Sequence, residues 1–357
     1  MLHVVIMAGG SGTRFWPVSR QLRPKQLVAL AADRPILRLT FERVAPLVPP
    51  ERTWVVTTKD TAAVTRDLLP ELPPGNVLAE PEGRDTAACA GFAARVVLHH
   101  DAEAVCAMLP SDHIIGEPDR FRSALFAAAE VVGTEGGLLT FGVKPTRAET
   151  GYGYLKLGDE HRVVDGWPVH ELARFVEKPD VDTARGYVSD GSYLWNSGMF
   201  VWRAEEFLHE VRRQLPRLAD GLDRVADAIQ RPDFESAIET IYPTLVRTSI
   251  DYGVMEGAQR CWIIPVDFPW SDVGAWPALT ELLPVDSDGN ATRGRGVTLG
   301  ADRNLVISDG PVVALAGVHD LVVVATGDAV LVVPADEAQR VKEIVADLEQ
   351  RGWHDVL

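Results

Sequence analysis

An α/β fold on a mostly parallel sheet, followed by a smaller all-β part and a closing helix, is what this sequence predicts. Three patterns carry that expectation. Short β-branched or apolar runs alternate with helical segments through the first part of the chain. From about residue 286 short apolar runs recur at roughly eight-residue spacing with no helix between them. The tail DEAQRVKEIVADLEQRG then places Val341, Ile344, Val345 and Leu348 on one helical stripe.

The first part justifies itself element by element. HVVIM (3–7), TWVVTT (53–58), EAVCAMLP (103–110) and GGLLTFGV (136–143) suit strands buried on both faces. Helices are expected at about 35–47, 61–69, 85–100 and 118–132. Strands alternating with helices imply right-handed crossovers and a mostly parallel sheet. Ligands on such sheets bind beyond the carboxyl ends of the strands, so the loops after residues 7 and 110 are the first places to look for chemistry. In the second part VTL, NLVIS, VVALAGV, DLVVVAT and AVLVVP are punctuated by Gly, Asp and Asn, and Asp336 is the expected N-cap of the final helix. The turn-rich stretch PVDSDGN (284–290) divides the chain into residues 1–285 and residues 286–357, which are expected to pack together.

Composition narrows the function. Of 357 residues, 46% are hydrophobic and 24% charged, ordinary globular values that argue against disorder. The start MLHVVIMAGG lacks a basic region and reads as a buried strand rather than a signal peptide, and no segment reaches the roughly 20 apolar residues that span a bilayer. Three widely spaced cysteines, Cys89, Cys106 and Cys261, fit buried thiols in a reducing compartment, so a cytoplasmic location is expected. A formal net charge of −16 disfavours nucleic acid and anionic membrane as partners. One local exception stands out: residues 1–32 hold no Asp or Glu but carry Arg14, Arg20, Arg23 and Lys25. A solvated basic face would look the same; so would a site for an anion.

The segment MAGGSGTRFWPVSRQLRPKQ (7–26) favours the anion. Gly9, Gly10 and Gly12 let backbone N–H groups approach a phosphate, and Arg14 and Lys25 add full positive charges nearby. Its spacing fits neither the dinucleotide fingerprint nor the Walker P-loop.

The whole string is more specific than its glycines. Together with RPKQ (23–26), EPEGRDTA (80–87), PSDH (110–113), GVKPTRAETGYGYL (142–155), FVEKP (175–179), WNSGMF (195–200), SIDYGVME (249–256), WSDVG (270–274) and DLVVVATGDAVLV (320–332), it resembles the GDP-mannose pyrophosphorylases over nearly the full length. These are mannose-1-phosphate guanylyltransferases within the nucleotidyltransferase family of sugar pyrophosphorylases. The resemblance implies a Rossmann-like α/β/α catalytic domain followed by a short left-handed β-helix. It also implies in-line attack of a sugar phosphate oxygen on the α-phosphorus of GTP, with pyrophosphate expelled and no covalent enzyme intermediate. Bringing two polyanions together makes positioning and charge neutralisation the main tasks.

Carried over residue by residue, the resemblance assigns Arg14 and Lys25 to the triphosphate and the departing pyrophosphate. Asp112 and Asp272 fall to a Mg2+ ion, which prefers a few carboxylates plus phosphate and water. As ordinary loop residues these two aspartates would be a helix cap and a turn. His113 is expected to be structural, because nitrogen suits magnesium poorly. Ala8, Gly9, Gly10, Gly12, Thr13, Gly83, Arg84, Ser111 and Asp112 join the nucleotide site. Glu80 is the candidate base reader, a carboxylate able to accept from guanine N1–H and N2–H. Gly153, Glu177, Lys178 and Asn196 form the expected sugar-phosphate site. GRDTA and Ala88 stand where many relatives have an Asn and a Pro, a departure in the nucleotide loop. Guanylyl transfer to another sugar 1-phosphate, such as a heptose, and a noncatalytic regulatory subunit remain the alternatives. The second would be expected to have lost Arg14, Lys25, Asp112 or Asp272. A joint mannose-6-phosphate isomerase activity, which would need a further cupin domain, is not expected of residues 1–357. A homodimer is expected, from relatives and from exposed strand edges.

Overall fold

The apolar run at the start of the chain forms the strand Leu2–Met7, with Val4, Val5 and Ile6 fully buried, as a strand covered on both faces requires. The computed structural model describes residues 1–10 and 12–357. Two compact units make up the chain. One comprises Met1–Gly9, Phe41–Ser111 and Ile115–Trp270; the other comprises Gly10–Thr40, Asp112–Ile114 and Ser271–Leu357.

The first unit is built on a nine-stranded sheet. Its strands lie in the order Val77–Glu80, Thr53–Thr58, Leu2–Met7, Val105–Pro110, Tyr193–Arg203, Leu138–Val143, Cys261–Val266, Trp167–Val176 and Tyr154–Val164. The sheet is mostly parallel: Trp167–Val176 and Tyr193–Arg203 run against the other seven strands. The helices Lys59–Leu68, Asp85–His100 and Pro118–Glu135 fall where strand–helix alternation places them. Asp85–His100 presents an almost continuous buried surface of Ala87, Ala88, Cys89, Ala90, Phe92, Ala93, Ala94, Val96 and Val97. It packs with Val5, Val56, Met108 and Trp202 of the sheet and Phe207, Leu218, Leu222 and Tyr242 of the later helices in one core.

Tyr193–Arg203 is the irregular element. It inserts antiparallel between Val105–Pro110 and Leu138–Val143, and its register against the latter slips between Thr140 and Gly142. A slip of this kind bends a strand and re-aims its side chains, and here it falls beside Asn196.

The second unit has its own core, in which Phe15, Trp16, Val28, Leu30 and Ile36 cluster with Val273, Trp276, Leu279, Val322, Val324, Leu331, Val341 and Leu348. Residues 10–40 thus pack with the end of the chain. The indole N–H of Trp16 donates to the Val356 carbonyl at 2.7 Å, and that of Trp276 to the Trp16 carbonyl at 3.2 Å. The Arg293 guanidinium donates to the carbonyls of Leu30 at 2.8 Å and Ala32 at 3.1 Å.

The β-helix part of this unit stacks short parallel strands: Ala291–Arg293, Leu305–Ser308 and Leu321–Ala325 in one sheet, Gly296–Leu299 and Val313–Ala316 in another. Val330–Pro334 closes the first sheet antiparallel. Two buried asparagines hold the register: Asn304 Nδ2 donates to Asn290 Oδ1 at 2.9 Å, and Leu321 N–H donates to Asn304 Oδ1 at 3.0 Å.

The closing helix is Val341–Gln350, with Val341 and Leu348 buried as its stripe requires. Asp336 does not cap it. The chain first makes a 3-10 turn, Ala335–Arg340, with Pro334 at its start and Asp336 in its first turn, so the helix begins later than an aspartate cap implies. Among the described residues no helix is long and apolar enough to cross a membrane.

Candidate active site

The acid-free basic segment folds into very different environments. Arg14 and Arg23 are exposed, whereas Arg20 pairs with Asp328 at 2.8 Å. Lys25 is 4% exposed, on the short 3-10 turn Lys25–Leu27 after Pro24. Its ammonium donates to Asp112 Oδ2 at 2.9 Å and to the Asp272 carbonyl at 2.5 Å. Gly12 explains how the lysine is held. Its φ is +61°, and an added Cβ would stand 2.4 Å from Lys25 Cβ and 2.6 Å from Lys25 N, so only glycine lets these backbones meet. Ser19 Oγ donates to the Gly12 carbonyl at 2.7 Å, and Gln26 Nε2 to the Gly10 carbonyl at 3.1 Å. Thr13 and Arg14 open the 3-10 turn Thr13–Phe15 that follows Gly12.

Burial alone would raise the Asp112 carboxyl, but the Lys25 ammonium, His113 and the Lys25 hydrogen bond outweigh it and hold the group below the usual carboxylate range. Asp112 is therefore an anion beside a cation. Asp272 reaches the same ammonium through its carbonyl, and an added Cβ on Gly274 would meet its Oδ2 at 3.0 Å. A carboxylate oxygen of Asp112 and the carbonyl oxygen of Asp272 thus converge on the Lys25 ammonium. Among the described residues no group of three or more His, Cys, Asp or Glu side chains could hold a metal. His113 is buried.

In the other unit Ala8 N–H donates to the Val56 carbonyl at 2.7 Å, and Ser111 N–H to the Met7 carbonyl at 3.0 Å, fixing the ends of two neighbouring strands. Glu80 ends the strand Val77–Glu80 and is 3% exposed. One carboxyl oxygen accepts from the Tyr242 hydroxyl. The other lies 3.0 Å from where a Gly9 Cβ would stand, so Gly9 and Glu80 are adjacent. Burial raises the Glu80 carboxyl to about 7 against the lowering effect of the Tyr242 hydrogen bond. Gly83 is exposed, and Arg84, paired with Glu82, stands at the start of the helix Asp85–His100.

Gly153, Glu177 and Asn196 are brought together. A Cβ on Gly153 would lie 2.4 Å from Glu177 Oε2 and 3.2 Å from Asn196 Cβ. The Glu177 side chain is 6% exposed; Oε1 accepts from Lys178 Nζ at 2.7 Å, while Oε2 is buried without a hydrogen-bond partner among the described residues. Lys178 is exposed and held at φ +47°, a left-handed conformation uncommon outside glycine that turns its ammonium back onto Glu177. Asn196 Nδ2 donates to Asp251 Oδ1 at 2.8 Å. Burial raises Glu177, with Asp251 adding to the rise and Lys178 opposing it.

Tyr242 and Asp251 are not among the expected site residues. Asp251 lies within SIDYGVME, a motif that carried the resemblance without a role of its own. Tyr242 belongs to no quoted motif and carries no local signal.

Comparison with known proteins gives the family. A model of the nucleotidyl transferase family matches residues 3–288, and a model of the MannoseP isomerase/GMP-like β-helix domain matches residues 294–348. The chain belongs to the nucleotidyl transferase family, whose sugar-phosphate guanylyltransferases generally use a divalent metal.

Among individual relatives, the xanthan biosynthesis protein XanB of Xanthomonas campestris pv. campestris (strain B100) is 37% identical over 358 aligned positions, covering 98% of this chain and 75% of that protein. The mannose-1-phosphate guanylyltransferase of Escherichia coli (strain K12) is 36% identical, covering 99% of this chain and 75% of its own length. A crystal structure from Thermus thermophilus, described as a mannose-1-phosphate geranyltransferase, superposes with a TM-score of 0.88 at 39% identity, covering 98% of this chain and 99% of that one.

Proposed function

We propose that this chain transfers GMP from GTP to α-D-mannose 1-phosphate, giving GDP-mannose and pyrophosphate. The observation that carries the reading is the buried Lys25 ammonium set between Asp112 and Asp272, an arrangement that gathers positive and negative groups where a triphosphate and a metal would meet. The kinship with mannose-1-phosphate guanylyltransferases at 35–37% identity supports the substrate pair.

In this reading the sugar phosphate oxygen attacks the α-phosphorus in line and pyrophosphate leaves from the opposite side. Gly9, Gly10, Gly12 and Thr13 offer backbone N–H groups to the triphosphate, with Ala8, Gly83, Arg84 and Ser111 around the nucleotide. Arg14 and Lys25 neutralise charge on the departing pyrophosphate. Glu80 accepts from the guanine edge. Gly153 lets the pyranose approach the backbone, Glu177 and Asn196 bind its hydroxyls, and Lys178 meets its phosphate. Asp112 and Asp272 would hold Mg2+, whose chemistry when bound is to neutralise the phosphates. Catalysis is assigned to residues 1–285, with 286–357 as a β-helix appendage.

A homodimer is the proposed assembly, supported by the outward apolar side chains Val297 and Leu299 on one β-helix strand. The three buried free thiols support a cytoplasmic setting.

The test is pyrophosphate release across a matrix of nucleoside triphosphates and sugar 1-phosphates. GTP with mannose 1-phosphate is expected to give the highest kcat/KM. Preference for UTP, dTTP or ATP would overturn the base assignment, and preference for another sugar phosphate would overturn the sugar.

A further inference from the structure

Asn196 is held at both ends of its amide. Its Oδ1 accepts from Gly198 N–H at 3.2 Å and lies 3.1 Å from Thr140 Oγ1, a hydroxyl also 3.0 Å from the Met199 carbonyl. Its Nδ2 donates to Asp251 Oδ1 at 2.8 Å. Turning the amide over would set Nδ2 against the Gly198 N–H and Oδ1 against a carboxylate, so Gly198 and Asp251 together permit one orientation only. That orientation commits one of the two Nδ2 hydrogens of Asn196 to Asp251.

Asp251 is itself well anchored. Its helix, Ile250–Gly253, begins at Ser249, whose Oγ accepts from Tyr252 N–H at 3.2 Å, and the Ile250 N–H donates to Thr86 Oγ1 at 2.8 Å.

Beside Asn196 stands Glu177: a Cβ on Gly153 would touch both, 3.2 Å from Asn196 Cβ and 2.4 Å from Glu177 Oε2, and that oxygen is buried with no donor among the described residues. A buried carboxylate oxygen without a donor is costly, and a ligand hydroxyl would relieve it. One fixed donor on Asn196 and one waiting acceptor on Glu177 make a pattern that only some hydroxyl stereochemistries match.

We propose that Asp251 is a positioning residue for sugar selection: it fixes the Asn196 amide so that Asn196 and Glu177 together distinguish the hydroxyl configuration of the sugar phosphate. This rests on the guanylyltransferase reading of the site. The isosteric change Asp251→Asn keeps the shape but replaces a charged acceptor with a neutral amide, which weakens the hold on Nδ2 and leaves the Gly198 N–H as the main constraint on the Asn196 amide.

The experiment compares wild type and Asp251→Asn, with KM and kcat for each substrate and with mannose 1-phosphate set against glucose 1-phosphate. Expected are a roughly tenfold rise in KM for mannose 1-phosphate and a comparable loss of mannose-over-glucose preference. KM for GTP and the melting temperature are expected to stay at wild-type values. An unchanged sugar KM and preference in the folded variant would overturn the proposal, and so would an equal rise in both KM values. Asp251→Ser, read by the same criteria, serves if Asp251→Asn does not fold. A wild-type protein that forms no GDP-sugar from any sugar 1-phosphate overturns the functional reading instead, and that is seen before any variant is made.

Discussion

Adding one methyl group at Gly153 tests the sugar site at its tightest point. The φ of Gly153 lies outside the left-handed region, so alanine brings no backbone strain and the effect is steric alone. The new Cβ would stand 2.4 Å from Glu177 Oε2, where ordinary contact begins at 3.4 Å, so the carboxyl oxygen must retreat by about 1.0 Å (3.4 − 2.4). It has little room, since the side chain is 6% exposed and Asn196 Cβ lies 3.2 Å from the same methyl. A misplacement of about 1 Å in a positioning group costs on the order of a hundredfold in rate, equivalent to about 2.7 kcal/mol. Overpacking adds about 1–3 kcal/mol of destabilisation, so the melting temperature is measured in parallel. The assay is initial-rate pyrophosphate release with each substrate varied in turn. Gly153→Ala is expected to lose kcat/KM for the sugar phosphate by about a hundredfold while KM for GTP is unchanged. A folded Gly153→Ala protein with wild-type kcat/KM for the sugar would refute the reasoning, because Glu177 could then not be the hydroxyl acceptor pressed against this backbone.

Lys25→Ala is expected to lower turnover by about a hundred- to thousandfold, against a change within about 0.5 kcal/mol for an ordinary surface cation. Lys25→Arg separates position from charge, since a planar guanidinium cannot reproduce the ammonium's two contacts, and near-normal rates in either folded variant would remove the lysine from the chemistry. Chelation with EDTA is expected to abolish activity, magnesium to restore it, and Asp272→Asn to lose most turnover without unfolding; full activity and unaltered metal dependence in Asp272→Asn would remove that carboxylate from the metal site. Glu80 links stability to pH: its carboxyl is raised to about 7 in the folded protein, so its contribution is fully present below the unfolded value of 4.5 and declines as pH rises through about 7. The stability difference between wild type and Glu80→Gln should therefore shift by about 3 kcal/mol against wild type between those pH values, read by urea unfolding at a series of pH values, and a flat difference would show that the carboxyl is not raised.

Much of this was legible from neighbouring residues alone. The strand Thr53–Thr58 and the helix Asp85–His100 fall on their expected positions, because each buries an apolar pattern whose period is set within the segment itself. The eight-residue rhythm after residue 286 likewise reports one strand per β-helix edge. Between residues 144 and 285 the expected pattern holds no strand or helix. There Tyr154–Val164 mixes buried and exposed positions without clean alternation, and its register against Trp167–Val176 slips at several points. The reversed insertion of Tyr193–Arg203 is a matter of which distant strands accept it, which no local window contains.

The same divide runs through the candidate site. Sequence by itself determined the family, the glycines that let chain segments approach, and the identity of the charged groups, because those are properties of residues and their spacing. Tertiary structure alone decided what each charge faces: Lys25 meets Asp272 across 247 positions, Glu80 meets Tyr242 across 162, and Asn196 meets Asp251 across 55. It also gathered residues 10–40 with 271–357 in one compact unit. The physical reason is that a conformational preference is set by adjacent atoms. The protonation and orientation of a buried polar group are set by whichever partner the fold brings within about 3 Å, and that partner's place in the chain is free.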